Sequence, residues 1–160
     1  MGSEEIIFLI KGILIVILVY LAYIDLRSFR LPDRVTLPLV AAGIGFNYFS
    51  DLRFTDPQAA LIGACLGYAF LWALNLAYRI LTGKNGVGMG DAKLLAGLGA
   101  WLGWSSLPSV LLLASVTGCI GGVIWLRCNK QSYQQAFPFG PFLAIAGIIA
   151  LLWPQLLQPI

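Results

Sequence analysis

Residues 94–126 read LLAGLGAWLGWSSLPSVLLLASVTGCIGGVIWL, thirty-three residues without a single charge. A helix that crosses the hydrocarbon of a bilayer needs about 20 mostly apolar residues. This run is too apolar for a water-exposed segment and too long for one crossing. Within it, Gly103-Trp104-Ser105-Ser106-Leu107-Pro108 has the composition of a turn. The run therefore divides into a short helix over 91–103 and a full one over 108–126. The short one, at 1.5 Å per residue, reaches only about 20 Å.

Outward from this stretch the pattern repeats. Apolar spans are predicted over 6–24, 34–50, 58–80 and 138–157, separated by short charged segments. The sum is six helices: an all-α, polytopic membrane helix bundle. Of the 160 residues, 59% are hydrophobic and 11% charged, against roughly 25% charged in a soluble domain. Mean hydropathy is +0.87. One membrane-embedded domain over 1–160 is the natural count at this length.

Basic residues set the orientation. With the N-terminus outside, the segments 25–34, 79–93 and 127–137 face the cytoplasm. They carry Arg27, Arg30, Arg34, Arg79, Lys84, Lys93, Arg127 and Lys130, eight of the ten basic residues, a strong positive-inside bias. The first helix follows Glu4 and Glu5 rather than basic residues, so it reads as a retained span and not as a cleaved signal. The net charge of +3 serves topology, and no basic cluster with interleaved aromatics points to nucleic acid. Trp101, Trp104, Trp125 and Trp153 fall near span ends and suit an interfacial belt.

The chain has no histidine, which removes Ser-His-Asp, Cys-His and His-ligated zinc chemistry. Cys65, Cys119 and Cys128 form no CxxC pair and read as small apolar packing residues. Neither a metal nor a cofactor is expected. Seven acids remain. Glu4, Glu5, Asp51 and Asp56 lie in the outer segments, whereas Asp25, Asp33 and Asp91 all fall at cytoplasmic helix ends. Ionisable groups at such a boundary tend to mark function. Two carboxyls brought close cannot both ionise, so one keeps a proton while the other can activate water.

Each residue also has a plainer use. Asp33, after Pro32, fits an N-cap, as Asp91 does for its own helix. Asp25 can pair with Arg27 or Arg30. Gly86, Gly88 and Gly90 suit a flexible linker, or a close approach of an extended substrate backbone to Asp91. Gly63, Ala64, Gly67, Gly97 and Gly99 can seat a substrate helix or the protein's own helices. Pro138 and Pro141 fit the first turn of the last helix, with Pro138 a candidate wall of the site. Lys93, two residues after Asp91, approaches that carboxyl if it points inward.

Asp25-Leu26-Arg27-Ser28-Phe29-Arg30-Leu31-Pro32-Asp33 resembles the first aspartate motif of bacterial type IV prepilin peptidases. Gly88-Met89-Gly90-Asp91-Ala92-Lys93 resembles their second, the GxGD element shared with presenilin-type membrane aspartic proteases. Leu81-Thr82-Gly83-Lys84, the stretch 94–104 and Phe137-Pro138-Phe139-Gly140-Pro141-Phe142-Leu143-Ala144 are similar to the same family, so the likeness runs from about residue 12 to 150. The resemblance implies that Asp25 and Asp91 are catalytic, while Gly88, Gly90, Lys93 and Pro138 are read from their chemistry and position as shaping the site or touching substrate. It implies an endopeptidase that removes the basic leader of type IV prepilins or type II secretion pseudopilins. The cut follows a glycine, just before the hydrophobic N-terminal helix of the substrate, at the cytoplasmic face of the bacterial inner membrane. Asp33 matches a non-catalytic position of the family. Larger members carry a Cys-rich cytoplasmic domain with two CxxC pairs and methylate the new N-terminus. This sequence lacks those pairs, so the short, peptidase-only form is expected, with membrane lipid and the pilin helix as its partners. Two other readings fit a small membrane protein with paired aspartates: a non-catalytic pilin-assembly protein, and a small proton or cation transporter. A transporter would place its acids near the bilayer midplane, and here they gather at one boundary.

Overall fold

A computed structural model describes residues 2–86, 88–129 and 138–154. Among them are six α-helices: α1 (Ser3–Ser28), α2 (Asp33–Phe49), α3 (Pro57–Thr82), α4 (Met89–Leu102), α5 (Leu107–Asn129) and α6 (Gly140–Leu152). Three segments, Ser3–Ser28, Pro57–Thr82 and Trp104–Ile124, are long and apolar enough to cross a membrane. Their outward faces carry large apolar side chains, such as Phe8 and Val16 on α1, Phe70 and Ile80 on α3, and Leu112 and Ile120 on α5. In water such a surface would aggregate, and in a bilayer it meets lipid. The chain is a membrane protein built as a polytopic helical bundle.

The division of the charge-free run falls where the sequence puts it. A 3-10 turn, Trp104–Ser106, joins α4 to α5. Gly103 enters it at φ 83°, a conformation that disfavours any side chain. The last span is shorter than expected. α6 begins at Gly140 rather than 138 and ends at Leu152, and the remainder of the expected span beyond residue 154 lies outside the described residues. Residues 130–137 also lie outside them.

The core is α4. Asp91, Ala92 and every residue from Leu94 to Trp101 are buried, as expected for a helix apolar all round. It packs against α2, α3 and α6, while α1 and α5 pack on α6. The seam with α3 is backbone on backbone. A Cβ at Gly63 would collide with the Gly99 carbonyl, and one at Gly99 with that of Gly63, while Gly67 lies against the Leu95 carbonyl. Gly97 meets Leu39 of α2. These glycines therefore seat the protein's own helices, not an incoming one.

At the end of the bundle opposite Asp91, Asn47 holds the layers together. Its Nδ2 donates to the Ala100 and Trp101 carbonyls at 2.9 and 3.2 Å. Its Oδ1 accepts the Phe54 and Thr55 N–H groups at 2.8 and 3.2 Å. The last carbonyls of α4 lack helical partners, and Asn47 supplies them. Trp101 is not an interfacial residue. It is 8% exposed, stacks on Phe46 and donates from Nε1 to the Leu39 carbonyl. Trp104 and Trp153 are exposed, and the Trp125 side chain lies outside the description. Cys65 and Cys119 are exposed on the outer helix faces, not packed in the core.

Candidate active site

Asp25 reaches the interior because of helical spacing. Leu14, Leu18, Leu21 and Asp25 form the buried stripe of α1, four, three and four residues apart, which is one face of a 3.6-residue helix. The helix continues past Asp25 to Ser28. Asp91 lies in the first turn of α4, whose N-cap is Gly88. The two aspartates are 5% and 8% exposed. They come from separate helices, and Gly90, next to Asp91, packs on Leu31, six residues past Asp25, which puts both acids at one end of the bundle.

Neither carboxyl takes part in an ion pair among the described residues, where the pairs are Arg53–Asp56 and Lys93–Asp33. The alternative pairing of Asp25 with a neighbouring arginine does not form among the described residues: Arg27 lies over the Tyr23 ring, 5.2 Å from its centroid. Asp25 instead accepts a hydrogen bond from α6, where the buried Gly140 N–H donates to Oδ2 at 3.1 Å. A Cβ on Gly140 would lie 2.6 Å from that oxygen. The α6 N-terminus thus presses its backbone onto the carboxyl and fixes its direction.

Asp91 does not cap its helix through its side chain, and neither does Asp33. The N-cap of α2 is Pro32, with Asp33 one residue inside. Lys93 donates from Nζ to Asp33 Oδ1, so it ties the start of α2 to α4 and its ammonium is taken by Asp33. The spacing left the direction of Lys93 open, and in the structure it turns to Asp33. Pro138 is buried two residues before α6, outside the helix, whereas Pro141 lies in the first turn.

The three glycines before Asp91 have separate surroundings. A Cβ at Gly86 would strike the Tyr78 ring, and one at Gly90 would meet Leu31 of the α1–α2 loop at 2.9 Å. Only Gly88 borders the carboxyl, 3.4 Å from Asp91 Oδ2 on the same measure. Of the three, Gly88 alone leaves room beside the acid. Sequence reasoning missed two contributors. One is Gly140, quoted within Pro-Phe-Gly-Pro but given no role. The other is Asn75 of α3, whose Oδ1 accepts the Gly86 N–H at 2.9 Å.

What the arrangement offers is acid–base chemistry: two buried acids at one end of a bundle, one held by a backbone N–H, with a glycine beside the other. A family model described as the type IV leader peptidase family matches residues 12–123. The chain belongs to the type IV leader peptidase family. Both aspartates fall inside the matched region. A prepilin leader peptidase/N-methyltransferase of Aeromonas hydrophila is 52% identical over 137 residues, covering 86% of this chain and 47% of that protein. A protein of the same name from Dickeya chrysanthemi is 46% identical over 136 residues, 85% of this chain and 47% of its own. One from Pseudomonas aeruginosa is 47% identical over 136 residues, 85% and 46%. The chain spans about half the length of the curated relatives it matches. No solved structure matches it significantly.

Proposed function

We propose that this chain is a membrane aspartic endopeptidase that removes the basic leader of type IV prepilins or type II secretion pseudopilins. The cut follows a glycine at the cytoplasmic face of the bacterial inner membrane, and Asp25 and Asp91 are the catalytic pair. The observation that carries the reading is the placement of these two buried carboxyls, from α1 and α4, at one end of the bundle, beside the α6 N-terminus and the α1–α2 loop. The names of the relatives support the substrate class. The proposal takes the peptidase part of those names, because acid–base hydrolysis is what the two carboxyls can perform.

In the proposed mechanism the substrate segment at the cleavage point leaves helical form, since a helix engages the carbonyl in its own hydrogen bond. The extended strand passes beside Gly88. One aspartate takes a proton from water, which attacks the carbonyl carbon. The other hydrogen-bonds the carbonyl oxygen and then protonates the leaving amine as the C–N bond breaks. Gly140 keeps Asp25 aimed through this cycle. Basic residues around the site, Arg30 and Lys84 among them, face the inner leaflet and its anionic lipid.

The test is co-expression with a tagged prepilin or pseudopilin, read as the mobility shift of leader removal. The wild type cleaves, while Asp25→Asn and Asp91→Asn accumulate in the membrane without cleaving. No cleavage by the wild type on either substrate would favour the assembly-protein reading.

A further inference from the structure

Asn75 belongs to the buried stripe of α3 that runs through Ala60, Gly63, Ala64, Gly67 and Leu71. The small residues of that stripe seat α4. Asn75 ends it with a polar side chain that is 9% exposed. An amide buried in apolar surroundings is costly unless it is hydrogen-bonded. Its Oδ1 accepts the Gly86 N–H at 2.9 Å, and its Nδ2 faces Met89 Sδ at 3.8 Å. One side chain therefore grips both ends of the segment 86–89.

That segment leads directly into the acid. The Asp91 N–H donates to the Gly88 carbonyl at 3.1 Å, and Gly88 borders the Asp91 carboxyl. Tyr78, three residues along α3, lies close under Gly86. From the other side Leu31 closes on Gly90. A shift of Gly86 away from α3 would thus be passed through Gly88 to Asp91.

We propose that Asn75 is a positioning residue, whose side-chain amide holds Gly86 and Met89 against α3 and so sets where the Asp91 carboxyl stands relative to Asp25. The inference rests on the peptidase reading for its catalytic consequence, but the tether is measurable without it. Asn75 holds Gly86 and Met89, so its effect on Asp91 is expected to travel through them. A leucine has the same branching at Cγ and the same number of side-chain heavy atoms, so it keeps the site filled, and it leaves the Gly86 N–H without its acceptor.

The experiment compares wild type, Asn75→Leu and Asn75→Ala, each purified in detergent. Hydrogen–deuterium exchange of the 83–90 peptide reads the tether, and cleavage kinetics on a prepilin read the acid. Loss of the acceptor is expected to speed exchange at Gly86 by about tenfold or more. It lowers kcat by about tenfold to a hundredfold, with KM within about twofold, because misplacing a reacting group costs rate rather than binding. The thermal midpoint of at least one variant stays near that of wild type. Unchanged exchange at Gly86 overturns the proposal, and so does faster exchange with unchanged kcat. A kcat loss found only alongside a lowered thermal midpoint would make Asn75 merely structural. If the wild type cleaves nothing, the peptidase reading fails, while the exchange result still decides whether Asn75 holds the segment.

Discussion

Gly140 shows what a single residue contributes when its side chain is only hydrogen. Its N–H meets Asp25 Oδ2, and the carboxyl fills the space a Cβ would need. Gly140→Ala must therefore push Asp25 aside or pull α6 back. We expect it to lower prepilin cleavage by about a hundredfold, since reacting groups tolerate little misplacement. Purified-enzyme kinetics check this, with membrane accumulation as the control. Asp25 itself was readable at this scale, because Leu14, Leu18, Leu21 and Asp25 share one helical face. Gly140 was not. Its partner lies 115 residues away, and no local pattern shows which backbone N–H will reach a distant carboxyl. Asp33 misled for the same reason. Next to Pro32 it looks like a cap, yet its partner is Lys93, sixty residues on.

Among the helices, position was legible and contact was not. The division of the charge-free run predicts a helix over 91–103, and α4 is Met89–Leu102, because apolar length and turn composition are signals along one dimension. The glycines were visible too, but both uses fitted them. Their pairing across the α3–α4 seam, Gly63 on Gly99 and Gly67 on Leu95, needs the fold. The seam yields a sharp expectation. Gly63→Leu forces α3 off α4 where backbone meets backbone, at a cost of at least about 1–3 kcal/mol. Its thermal midpoint in detergent should fall well below that of Gly45→Leu, since a Cβ at Gly45 meets nothing within 4 Å. Equal midpoints would refute the seam's role.

For the molecule as a whole, the account joins a chemical pole to a membrane orientation. Asp25, Asp91, Lys93 and the start of α6 gather at one end, and Asn47, Phe54 and Gly103 at the other. From the positive-inside pattern we propose that the first end faces the cytoplasm. In a background with its three cysteines replaced by serine, Lys84→Cys should label with an impermeant maleimide only after the inner membrane is opened. Arg53→Cys should label in intact spheroplasts. The reverse pattern would place the acids on the wrong side for a prepilin leader. The central claim is that Asp25 and Asp91 act as one unit, and a double-mutant cycle on kcat/KM tests it most directly. If they form a single acid–base pair, Asp25→Asn, Asp91→Asn and the double variant lose nearly the same activity, because removing either acid already removes the mechanism. Losses that multiply in the double variant, or normal cleavage by either single variant, would contradict it.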